Sequence, residues 1–79
     1  MKWIKNGNQL INMSHVSCIK IAGEKQNEIV FYYNESTRML KLAYKTEERA
    51  EKELEAIAQF LEYQPAVIME MAPTNEEAL

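Results

Sequence analysis

Few side chains in this sequence could act as nucleophile or base: Cys18, His15, the serines Ser14, Ser17 and Ser36, and glutamates in place of any aspartate. A hydrolytic triad would need His15 as base, a glutamate to orient it, and a serine on a strained turn between strand and helix, where none of the three stands. Cys18 and His15 are three residues apart, and side chains at odd separation in a strand point to opposite faces, so the pair does not meet without a bulge. Zinc would need clusters of histidine and cysteine, and the chain offers one of each. Gly7 and Gly23 are isolated and suit turns rather than a phosphate loop. Glu47, Glu51 and Glu55 recur every four residues, the pattern of a wet helix face. The expectation is a protein that is not an enzyme, with no catalytic, metal or cofactor-binding residue and no cofactor.

The elements that carry these residues must fit in 79 residues, of which 47% are apolar and 27% charged. That length gives one thin hydrophobic core and therefore one domain, expected over 1–72 with a flexible tail at 73–79. The formal charge is −3, but it is divided unevenly. Met1 to Thr46 carries seven basic and three acidic residues, whereas Glu47 to Leu79 carries two basic and nine acidic ones. The first part can face an anion and the second cannot. A lone cysteine permits no internal disulfide, and no apolar run approaches the ~20 residues of a membrane span, so a cytoplasmic setting without membrane contact is expected.

Period-two alternation predicts strands over Met1–Lys5, Gln9–Met13, Val16–Ala22, Glu28–Tyr33 and Arg38–Tyr44. Asn6-Gly7 marks a tight hairpin, Gly23 to Asn27 a loop and Asn34 to Thr37 a turn. Period 3.6 takes over at Thr46, a helix cap, with Ala50, Leu54, Ile57, Ala58 and Leu61 as an apolar stripe and Tyr63 closing one end of the core. Pro65 stops the helix near Tyr63 or Gln64. Ala66 to Met71 is left open between an edge strand, a core cover and an arm on a neighbouring subunit. The fold class is α+β: an antiparallel meander of four to five strands followed by one C-terminal helix packed on one face.

One helix covers one face of such a sheet. Facing it are Ile19, Ile21, Ile29, Phe31, Tyr33, Leu40, Leu42 and Tyr44. The other face then carries Val16, Cys18, Lys20, Val30, Tyr32, Met39, Lys41 and Ala43, an unusually apolar set for a solvated surface. A partner is expected there, and a symmetric homodimer is the simplest one. The interface residues are Val16, Cys18, Val30, Tyr32 and Met39, with Val67 and Ile68 of the arm. Against this stands a mixed face on which Lys20 and Lys41 lay their stems over Val30 and Tyr32. The function expected is a self-associating or protein-interaction module.

The alternative is weak single-stranded nucleic-acid binding on the same face, with Tyr32 as stacking platform and Lys20, Lys25, Arg38 and Lys41 as phosphate contacts. Trp3 more readily serves as a core anchor than as a second ring. The meander followed by one long helix resembles in architecture the single-stranded-DNA-binding transcriptional coactivator domains, which implies a homodimer. The basic, aromatic ridge motif of that family is not recognisable here, so no binding residue carries over. The run Gly7-Asn8-Gln9-Leu10-Ile11-Asn12 leading into Val16-Ser17-Cys18-Ile19, with Thr46-Glu47-Glu48-Arg49-Ala50 opening the helix, resembles small uncharacterised bacterial or phage-borne sheet-plus-helix proteins. That resemblance implies no activity.

Overall fold

Gly7 starts the chain reversal that forms the first hairpin. Strands β1 (Trp3–Asn6) and β2 (Gln9–Asn12) pair antiparallel through Asn6 and Gln9, leaving Gly7 and Asn8 as the loop. Gly7 has φ +60° and Asn8 is not in the left-handed region, so the loop needs positive φ only at its first residue, where glycine meets it without strain. The reversal therefore lies one residue later than Asn6-Gly7 suggests. The computed structural model describes residues 1–34 and 38–71. The turn expected at Asn34 to Thr37 falls mainly, and the tail at 73–79 wholly, outside the described residues.

Asn12 then redirects the chain. Its side-chain oxygen accepts a bond from the backbone N–H of Ser14 at 2.9 Å, capping a single 3-10 turn at Met13–His15. Beyond the turn run β3 (Val16–Ala22), β4 (Glu28–Tyr33) and β5 (Met39–Ala43), an antiparallel meander in the order β3-β4-β5. Helix α1 (Glu47–Glu62) follows, and after Pro65 a short strand β6 (Ile68–Glu70) returns to lie parallel to β1. The α+β class with one long helix stands, but the strands form two three-stranded sheets, β2-β1-β6 and β3-β4-β5, in place of one meander. The turn after Asn12 detaches β2 from β3, and β1 takes its second neighbour from the far end of the chain.

The inner faces of both sheets and one side of α1 share a single core. Ile4 and Ile11 come from the first sheet, Ile29, Phe31 and Leu42 from the second, Tyr44 from the link, and Ala50, Ile57 and Phe60 from the helix. Ile19, Ile21, Tyr33 and Leu40 pack on it half-buried, as the alternation predicts. Thr46 caps α1 by accepting the Arg49 N–H at 3.1 Å, and the helix ends at Glu62. Of two expectations about the helix, one holds in part and one fails. Ala50 and Ile57 of the stripe are buried together with Glu53 and Phe60, Leu54 packs half-buried against the core, and Ala58 and Leu61 are exposed. Tyr63 is 69% exposed and closes nothing, because Phe60 already fills that end of the core.

Two contacts bind the residues just before β1 and just after β6 into this core. The Lys2 ammonium donates to the carbonyl oxygens of Phe60 and Gln64 and lies 4.5 Å from the centre of the Phe60 ring. A cation there offsets the negative end of the helix and occupies carbonyls that the helix leaves unpaired. Met71, just past β6, is buried and donates its backbone N–H to the Lys5 carbonyl at 2.8 Å. The segment 66–71 is thus both an edge strand and a core cover.

Candidate interaction surfaces

The outer face of β3-β4-β5 carries two cross-strand rows of the expected interface, Lys20–Val30–Lys41 and Cys18–Tyr32–Met39. Val30 is only 1% exposed, so the chain itself covers it and almost no surface remains for a partner. Its neighbours across the strands are lysines whose stems can lie over it, and the Lys20 ammonium reaches 5.4 Å from the Tyr32 ring centre. Cys18 is a free, exposed thiol, Tyr32 is half-buried and Met39 is 46% exposed.

Val16 leaves this face altogether. It pairs with Tyr33 whereas Cys18 pairs with Tyr32, so Ser17 is the extra residue of a β-bulge. The bulge breaks the alternation, and Val16 packs half-buried against the core beside Tyr33. The Ser17 hydroxyl donates to the Tyr32 carbonyl at 3.3 Å. Val67 and Ile68 lie at β6, on the other sheet, with 58% and 51% of their surface exposed. The seven expected interface residues thus do not form one surface.

The basic residues are also divided. Lys20 and Lys41 flank the centre of β4, but Lys25 sits in the loop before β4 while Arg38 precedes β5, beside Tyr33 at the far end of β4. Six residues of strand separate the two ends, roughly 20 Å. His15 is exposed in the 3-10 turn, and its carbonyl accepts the Asn34 N–H at 2.8 Å. Among the described residues no three of His, Cys, Asp and Glu gather where they could hold a metal ion, and no helix is long and apolar enough to cross a membrane.

Two apolar surfaces lie elsewhere. On the outer face of β2-β1-β6, Trp3 stands between Asn12 and Ile68, and Lys5 between Leu10 and Glu70. Leu10 is 56% exposed and Trp3 half-buried. The inward row Ile11–Ile4–Met69 fixes this orientation, because alternate residues of a strand face opposite ways. Leu10 beside Ile11 in the sequence already signals that one of two adjacent apolar residues must face out.

The second surface is a groove of about 340 Å³ between β3 and α1. Val16, Ser17, Cys18 and Ile19 form one wall and Leu54, Ile57, Ala58 and Leu61 the other, with Met13 at one end. The helix wall is most of the apolar stripe legible in the sequence, with Ile57 and Leu54 reaching the core and Ala58 and Leu61 exposed at its outer side. Comparison with models of protein families, with curated proteins and with solved structures finds no match for this chain.

Proposed function

We propose that the chain is a non-catalytic protein-interaction module that self-associates through the outer face of β2-β1-β6. The observation that carries this is the arrangement of Leu10, Trp3 and Ile68 around an adjacent Lys5 and Glu70. An isologous interface needs a patch complementary to itself. Opposite charges side by side on an apolar ground meet that condition, since a copy turned about a two-fold sets each lysine against the other copy's glutamate. Like charges there would oppose the same contact.

The size of the patch sets the strength. Three strands about 4.8 Å apart, at most four residues long at about 3.3 Å each, span no more than roughly 14 by 13 Å. That is far below the ~800 Å² per partner of a stable complex, so the dimer belongs to the weak, transient class, with dissociation expected near or above ~10 µM.

Sedimentation equilibrium over rising concentration tests this. Wild-type protein is expected to shift from monomer towards dimer, Ile68→Glu and Leu10→Glu to stay monomeric with an unchanged circular dichroism spectrum, and Lys5→Glu to weaken the dimer until Glu70→Lys is added. A monomer at every concentration up to several hundred micromolar rejects the proposal.

Single-stranded nucleic-acid binding is the second reading, supported by Lys20 and Lys41, which flank Val30 one row along the same face from Tyr32. It is weaker, because a base would have to displace Lys20 from the tyrosine ring. Anisotropy of a labelled single strand at low salt checks it, and salt-insensitive binding would refute its electrostatic form.

A further inference from the structure

We infer that the groove between β3 and α1 is a binding site for an extended, basic segment of another protein, which adds as a strand along the open edge of β3. Strand β3 is hydrogen-bonded on one side only, to β4. Four consecutive residues, Val16 to Ile19, line the groove. Cys18 and Ile19, beyond the bulge, point to opposite faces, so both can reach one groove only from the strand's edge. Beyond Val16, whose N–H donates to the Met13 carbonyl, the outward N–H and C=O groups of that edge are the template for an added strand, and the groove takes its inward side chains.

The opposite wall determines which strand fits. Leu54, Ala58 and Leu61 give an apolar floor that the core leaves half-buried or exposed. On a helix, positions 51, 55, 58 and 62 form one row, so Glu51, Glu55 and Glu62 stand on the solvent side of Ala58 as an acidic lip, all three exposed. A segment alternating apolar residues with lysine or arginine sends one set into the groove and the other to this lip. A second copy of this chain fits less well, since docking by the same edge would face one acidic lip with another.

The probe is a short synthetic peptide alternating valine with lysine, titrated into the isotope-labelled protein and followed by amide chemical shifts. Shifts are expected at Val16 to Ile19 and along 54–62, and the affinity should fall at least about tenfold when salt rises from about 0.05 to 0.5 M. Ala58→Arg fills the groove mouth, and Glu55→Lys with Glu62→Lys reverses the lip; both lie on exposed helix positions that leave the fold intact. Each is expected to weaken the peptide about tenfold or more, a loss of about 1.4 kcal/mol. A peptide alternating valine with glutamate is expected not to bind.

Shifts confined to the outer faces of either sheet, binding undiminished by Ala58→Arg, equal binding of the two peptides, or no binding at millimolar peptide would each overturn the inference. A change in sedimentation mass caused by Ala58→Arg would also overturn it, by identifying the groove's occupant as a second copy. The dimer proposed above uses other residues and stands or falls on its own measurement.

Discussion

Val30 and Lys2 show how neighbouring side chains decide what a residue can do. Val30 alternates correctly with Ile29 and Phe31 and lies opposite the core, yet it is as buried as they are. Val30→Glu is therefore expected to cost several kcal/mol by placing a carboxylate where almost no side-chain surface is exposed, and to abolish cooperative unfolding rather than dissociate a dimer. Met39→Glu, on the same face but 46% exposed, is expected to change stability by less than about 1 kcal/mol. Thermal unfolding of the two variants separates them. Lys2 reads in the sequence as one more surface charge near a terminus. Its bonds to the Phe60 and Gln64 carbonyls and its place over the Phe60 ring predict that Lys2→Met lowers stability by about 1–2 kcal/mol, measurable by urea titration. A long-range contact of this kind leaves no periodic trace, so only the coordinates locate it.

The elements were largely legible because each carries its own local signal. Five β-branched or aromatic residues in a row give β4, and Thr46 before Glu47 and Glu48 gives the start of α1. Thr46→Ala is expected to cost about 1 kcal/mol of stability through the lost cap. Faces were legible only where the period is unbroken. The bulge at Ser17 turns Val16 inward, and nothing in Val16-Ser17-Cys18 announces it. The partner of β1 was not legible either, since pairing β6 parallel to β1 depends on the helix carrying the chain back across the molecule. Because Met71 then enters the core, Met71→Ala is expected to cost about 2–4 kcal/mol, close to the effect of shortening Ile57. A segment lying loosely on the surface would show almost no loss in the same denaturant titration.

At the scale of the whole molecule, a small core leaves more apolar surface than it can enclose. The sequence shows that surplus, and the structure assigns it to different places than alternation alone suggests. On the outer face of β3-β4-β5 Val30 is buried while Cys18 and Met39 stay exposed, Leu10, Trp3 and Ile68 gather on the other sheet, and part of the helix stripe opens on a groove. Covering about 300 Å² of apolar surface in total would release on the order of 7 kcal/mol before association costs, which matches a contact that forms and breaks readily. Amide spectra of the isotope-labelled protein recorded on serial dilution test the central claim most directly. Concentration-dependent shifts are expected at Trp3, Lys5, Leu10, Ile68 and Glu70, and should vanish in Ile68→Glu. Spectra that do not change with dilution, or shifts that gather at Cys18, Tyr32 and Met39 instead, would contradict self-association through this surface.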